Sequence, residues 1–247
     1  MPGGVHRDGG GSEEGVSRPA QSRLRAGLPA PLWRFIFHFE WAIEDAVRRF
    51  ADSLPAGARV LDAGSGEGQY RRAFDRQKYL GIDLTVGDAS WNYSGIDVCG
   101  DLAALPLRSG AFAAAVNIVT LEHVPEPARV VCELARVLEP GGRLLLIAPH
   151  EWEEHQQPHD YFRYTRYGLR YLLERAGFTE IDIHPVGGIF RLVGRRLLNV
   201  IQFLPLPLAI VLFVPLGGLG LLLPLLDFLD AQRNFTLGYI CYARKSS

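Results

Sequence analysis

The chain has 247 residues, 48% hydrophobic and 21% charged, which is enough apolar material for one sizeable α/β core and too much for a disordered chain. Its 26 Lys and Arg nearly balance 27 Asp and Glu, so no global cationic field draws in a phosphate backbone, and nucleic acid is not an expected partner. Cys99, Cys132 and Cys241 are odd in number and form no CxxC pair, which argues against a disulfide framework and suits a reducing cytosol.

Residues 1–30, rich in Gly, Ser, Pro and Arg, show no apolar period and read as a disordered tail. The run that follows, LWRFIFHFEWAIE, is interrupted by Arg34, His38 and Glu40, so no secretory leader is expected. Trp33, Ile36, Phe37, Trp41, Val47 and Phe50 recur at roughly helical spacing and predict a helix leading into the domain, residues 31–247. After the turn SLPAGA, short apolar runs alternate with helical patterns: ARVLDAG, KYLGIDL, AFAAAVNIV, GRLLLIAP and TEIDIHPV. That alternation predicts a parallel sheet with crossover helices, the best marked of which lies in PEPARVVCELARVLEPGG.

The stretch VLDAGSGEG joins a strand to three glycines at alternate positions, Gly64, Gly66 and Gly68. Glycines there remove Cβ atoms where a ligand lies against backbone, although a tight turn with no ligand uses the same residues. A nucleoside triphosphate is disfavoured, because no Gly-Lys-Ser/Thr follows to hold phosphate and magnesium. A dinucleotide fits poorly too, since the spacing is not GxGxxG and Asp62 ahead of the glycines repels a pyrophosphate. Asp83, 21 residues after Asp62, ends the second strand and suits the two hydroxyls of a ribose. Asp101, 18 residues further on, is placed to accept from an exocyclic amine while Leu102 covers a base face.

Together DAGSGEG (62–68), GIDL (81–84), GDLAALPL (100–107), TLEHV (120–124) and ARVLEPGGRLLLIAP (135–149) resemble a class I S-adenosylmethionine-dependent methyltransferase of the type 11 kind. The chain departs from many members where Ala113, not an aspartate, follows Phe112. The resemblance implies a Rossmann-like, doubly wound, mainly parallel seven-stranded sheet with an antiparallel last strand. It also implies S-adenosyl-L-methionine as cofactor: Asp62, Ala63 and the three glycines at its methionine part, Asp83 with Leu84 at the ribose, Asp101 with Leu102 at the adenine, and Thr120 and His123 beside it.

Ligands of such sheets bind beyond the carboxyl ends of the strands, which directs attention to HEWEEHQQPHDYFRYT after LLLIAP. His155, His159 and Asp160 are the candidates for acid–base work on a hydroxyl acceptor, against the alternative of a polar lid that works by proximity alone. Pro158 between the two histidines argues against a helix presenting both to a metal, and no metal site is predicted.

Residues 197–226 carry no charge, and 20 of them are Leu, Ile, Val or Phe, a composition favourable for bilayer insertion. TEIDIHPV before this run and NFTLGYICYARK after it read as neighbouring strands of one sheet, so the chain must leave and return on the same side. The expectation is an apolar helical hairpin within 191–232, inserted before the last strand, turning near Pro215 to Gly220 and dipping into one leaflet or lying in its interface. Arg191, Arg195 and Arg196 beside it would meet anionic headgroups. Burial of this surface within the domain or in a homodimer contact is the alternative. The functional expectation is methyl transfer to an amphiphilic or lipid-linked acceptor by a peripheral or monotopic protein at the cytoplasmic face of the plasma membrane. A methyltransferase of a soluble small molecule or sugar, or an inactive cofactor-binding scaffold, is the alternative.

Overall fold

The computed structural model describes residues 29–87 and 91–247, and the tail expected over 1–30 lies, except for its last two residues, outside them. Seven strands make one sheet: β1 (Arg59–Ala63), β2 (Lys78–Asp83), β3 (Val98–Cys99), β4 (Phe112–Ile118), β5 (Leu138–Pro149), β6 (Phe178–Val186) and β7 (Gly238–Lys245). Their order is β3-β2-β1-β4-β5-β7-β6. The first five pair in parallel, and β7 runs antiparallel between β5 and β6. Since β5 and β6 both oppose β7, strands β1 to β6 all end at one edge of the sheet. This is the Rossmann-like arrangement expected, with the order reversing between β1 and β4, the kind of switch point beside which ligands bind.

Helices α1 (Ala30–Ile36), α2 (His38–Asp52), α3 (Pro127–Val137), α4 (Arg166–Arg175), α5 (Ile189–Ile201) and α6 (Leu206–Leu222) complete the fold. The strand period of two divides the core into halves. Leu61, Ala63, Ala115, Leu144 and Leu146 face α3 and α4, while Val60, Ala114, Val116, Leu145 and Ile147 face α2. Helix α2 buries Phe39, Ile43, Ala46, Val47 and Phe50, one stripe at helical spacing. The single helix expected over Trp33–Phe50 is two helices, because Phe37 leaves the helical region at φ −100°, ψ 53°. Between β1 and β2 the glycine turn is followed by only a 3-10 turn, Arg71–Phe74, where a full crossover helix was expected.

The apolar insertion is a helical hairpin, but its turn lies at Gln202–Pro205 and not at Pro215–Gly220. Pro205 precedes α6 and Pro207 sits in its first turn, where a missing N–H is harmless, whereas Pro215 and the Gly217–Gly218 pair lie inside an unbroken helix. The two helices meet at glycine. A Cβ on Gly194 would come within 2.6 Å of the Gly220 carbonyl, and one on Gly220 within 3.0 Å of the Gly194 carbonyl. At the base, the Asp227 carboxylate accepts from the N–H groups of Gly188 and Arg191, both at 3.0 Å, and Asp230 accepts from Ile189 N–H at 2.8 Å. The hairpin is thereby tied to the end of β6.

Candidate active site

The carboxyl edge of the sheet gathers the predicted binding residues strand by strand. Asp62 and Ala63 end β1, Asp83 ends β2, Asp101 and Leu102 follow β3, and Thr120 follows β4. Gly64, Gly66 and Gly68 all take positive φ, at 84°, 53° and 74°. Gly64 has a second constraint, since a Cβ there would lie 2.2 Å from the Thr120 methyl. The Thr120 hydroxyl donates to the Ile118 carbonyl at 3.0 Å, with the Gly64 carbonyl as the other acceptor at 3.2 Å, which sutures β1 to β4 across the switch point.

Asp62 is 1% exposed and accepts a 2.6 Å hydrogen bond from the Tyr79 hydroxyl. Burial pushes its carboxyl up to about 7 in spite of that bond. Asp83 accepts from Gly66 N–H at 2.9 Å and Thr85 N–H at 2.8 Å, so it braces the glycine turn and keeps lone pairs for hydroxyl donors. Asp101 caps the 3-10 turn Leu102–Ala104 by accepting from Ala103 N–H at 2.8 Å. Leu102 is buried beneath it, while Leu84 stands 47% exposed at the end of β2. Ser65 Oγ and Asn117 Oδ1 are buried here without a hydrogen-bond partner.

The segment after β5 folds down as a lid. Tyr161 N–H donates to the Glu122 carbonyl at 2.9 Å, and the buried Tyr164 hydroxyl donates to the Leu121 carbonyl at 2.8 Å. Arg163 grips both Asp160 oxygens at 2.6 and 2.7 Å and donates to the Glu153 carbonyl at 2.7 Å. Burial alone would raise the Asp160 carboxyl, but Arg163 and the His155 N–H outweigh it and hold it at about 2. Asp160 is therefore an ionised anchor of the lid. The two candidate histidines part company: the His155 ring stands edge-on to His123 with centroids 4.7 Å apart, whereas the His159 ring faces Tyr161 and only its backbone carbonyl reaches His123, at 2.6 Å from Nδ1.

Four residues escaped the sequence reading. Tyr79 is the partner of Asp62, Asn117 donates to the Ala63 carbonyl at 2.8 Å, and Arg163 is the staple of the lid. The fourth, Glu122, is completely buried, neither carboxylate oxygen has a partner side chain among the described residues, and burial pushes its carboxyl up to about 8. Its signal was present as an acidic residue beside Leu121, a few positions after a core strand, in TLEHV. Burial also drives His123 down to about 4.

Residues 61–146 match a family model described as a methyltransferase domain. A probable S-adenosylmethionine-dependent methyltransferase of Mycolicibacterium smegmatis is 32% identical over 151 residues, which cover 56% of this chain and 58% of that protein. The chain carries a class I S-adenosylmethionine-dependent methyltransferase domain. The ubiquinone biosynthesis O-methyltransferase of Xanthomonas axonopodis pv. citri is 36% identical over 108 residues, 37% of this chain and 43% of its own. The chain thus spans about half the length of these curated relatives. Among solved structures, phosphoethanolamine N-methyltransferase 2 of Haemonchus contortus, in complex with S-adenosyl-L-methionine, superposes with a TM-score of 0.55 at 16% identity, over 84% of this chain and 53% of that one. At that identity the likeness speaks for the methyltransferase fold alone.

The residues present fit the cofactor. The glycine turn leaves bare backbone beside Asp62, a carboxyl that a cation can draw into its ionised form, and Ser65 Oγ lacks a partner in the same turn.

Proposed function

We propose that this protein methylates an amphiphilic acceptor, lipid-linked or isoprenoid, at the cytoplasmic surface of a membrane. The observation that carries the proposal is where the hairpin starts: β6 ends on the same side of the sheet as β1 and β4, and α5 packs on the loop after β5, so the apolar helices leave the domain next to the lid. The 24 residues Leu206–Leu229 are long and apolar enough to cross a membrane by length and composition. Ile210, Val211, Phe213 and Val214, at successive angles around α6, are each more than 60% exposed. A dimer partner would cover one face, whereas lipid covers every face. Because the hairpin returns to the sheet at β7, insertion into one leaflet suits the topology better than a span.

The lid meets the hairpin directly. The Arg195 guanidinium stacks on Trp152 at 3.7 Å, and Arg196 donates to Glu153 Oε2 at 2.7 Å, which makes α5 the neighbour of the loop that carries His155 and Asp160. An acceptor held with its tail in the leaflet would bring its head to this loop.

The cofactor supplies a methyl carbon activated by a sulfonium, and the chain supplies position. In this reading Asp62 and the backbone of Gly64–Gly68 hold the cationic methionine part, Asp83 the ribose hydroxyls, and Asp101 with Leu102 the adenine. Thr120 fixes the glycine turn, and the lid excludes water. Incubation with methyl-labelled cofactor, followed by separation of lipid and aqueous extracts, tests the reading. Label is expected in the lipid fraction; label confined to water-soluble products would overturn the membrane-surface acceptor and favour a soluble substrate.

A further inference from the structure

From the cluster Glu122, His123 and His155 we infer a binding site for a divalent transition-metal ion of the zinc class beside the methyltransferase pocket. One ligand atom from each of the three residues lies within 4.8 Å of the others. Glu122 is fully buried, yet both carboxylate oxygens lack a hydrogen-bond partner, and so does the buried His123 Nε2. A carboxyl group and an imidazole nitrogen that face each other without hydrogen-bond partners in a protein interior are costly unless a proton or a metal ion completes them. Among the described residues no guanidinium or ammonium makes a hydrogen bond to them: Arg163, whose charge reaches Glu122, gives its hydrogen bonds to Asp160.

The surrounding contacts orient these groups as ligands. His123 Nδ1 lies 2.6 Å from the His159 carbonyl, which fixes the proton on Nδ1 and leaves Nε2 with its lone pair free. His155 Nδ1 lies 3.1 Å from the Glu153 carbonyl, and its backbone N–H is held by Asp160, so its Nε2 is free in the same way. Carbonyl or carboxylate support of the second ring nitrogen is the usual companion of a histidine ligand. Two imidazoles and a carboxylate select a zinc-like ion over calcium or magnesium, and three protein ligands leave a position open. Glu122 Oε1 and His123 Nε2 are already 3.7 Å apart, near the roughly 3.4 Å separation of ligands around a tetrahedral zinc.

The placement gives the open position a use. Glu122 and His123 lie in the 3-10 turn Leu121–His123 that Thr120 precedes, and Thr120 touches Gly64, so the ion would sit between the cofactor turn and the lid, where a hydroxyl or phosphate oxygen of an acceptor could be its fourth ligand. His155, on this account, is a ligand supplied by the lid. His159, four residues on, contributes its carbonyl and not its ring.

The test uses the full chain freed of metal with a chelator and titrated with Co²⁺, a coloured stand-in for Zn²⁺, while S-adenosylhomocysteine binding is measured separately by calorimetry. One equivalent of Co²⁺ is expected, with visible d–d absorption that Zn²⁺ abolishes. Affinity should fall at least tenfold in Glu122→Gln and in His155→Ala, and should be unchanged in His159→Ala. His155→Ala lies on the lid and remains informative if Glu122→Gln fails to fold. A wild-type chain that binds the nucleoside but takes up no stoichiometric Co²⁺ overturns the metal site and leaves the methyltransferase reading intact. Uptake that survives His155→Ala at wild-type affinity overturns it as well.

Discussion

Strand β5 and helix α6 are both runs of large aliphatic residues, yet they end in opposite environments. Leu144, Leu145, Leu146 and Ile147 are essentially inaccessible to solvent, whereas Leu206, Val211 and Val214 are about 70% exposed or more. The difference lies in what each run has beside it. β5 is paired on both edges, by β4 and β7, and covered on both faces, so its apolar surface is consumed within the domain. α6 has α5 beside it, joined at the Gly194–Gly220 contact, and among the described residues most of its large apolar side chains are exposed.

The contrast predicts that truncating the two regions has different consequences. Leu146→Ala removes a side chain packed on all sides and should cost about 2 to 5 kcal/mol in denaturant unfolding. Val214→Ala should change unfolding by less than about 0.5 kcal/mol. A comparable loss at both positions would show that α6 is part of the folded core. Gly64→Ala comes next in size: the positive φ alone costs roughly 1 to 3 kcal/mol, and the contact with Thr120 adds to it. Calorimetry with S-adenosylhomocysteine should show binding lost in this variant, and retained binding would contradict the role given to the turn.

Asp62 supplies a pH test. Its folded carboxyl titrates at about 7 against an ordinary value of 3.8, so between those limits the folded state holds a proton that the unfolded chain has released. Stability from this group is therefore greatest at low pH, falls by about 1.4 kcal/mol per pH unit as pH rises toward 7, and is flat above. Asp62→Asn should make that slope shallower in melting curves recorded from pH 4 to 8, leaving the part that the raised Glu122 carboxyl contributes, and should lose nucleoside binding. A slope unchanged by the substitution would remove Asp62 as its source. The smallest effect is expected at Arg196→Ala, which breaks a half-exposed pair with Glu153 worth about 0.2 to 1 kcal/mol. Its use is kinetic: turnover on a membrane-borne acceptor should drop while S-adenosylhomocysteine affinity stays the same, and an unchanged rate would uncouple lid from hairpin.

Much of the domain was legible in the chain. The apolar runs that became β1, β2, β4, β5 and β6 carry their own turn punctuation, and Gly64, Gly66 and Gly68 announce a backbone that needs positive φ. The two-residue β3 was not marked, because Val98–Cys99 is too short for a period to show. The hairpin was legible as apolar surface but not in its turn: Pro215 looked like a breaker, whereas Pro205, outside the helix that follows it, is where the chain reverses. At the candidate site, the chain-order reading joined His155 to His159 because they are close in sequence. The fold instead sets His155 against His123, which arrives from β4, and such a pairing of distant segments has no sequence period to reveal it.

Flotation with liposomes of mixed zwitterionic and anionic lipid decides whether the hairpin enters a bilayer, comparing the full chain with a Phe213→Glu, Val214→Glu variant. The wild-type chain is expected to rise with the vesicles and the variant to stay at the bottom of the gradient, while both bind S-adenosylhomocysteine equally. A wild-type chain that remains in the dense fraction without detergent, or a variant that floats as well as the parent, would contradict the placement of the hairpin in a membrane.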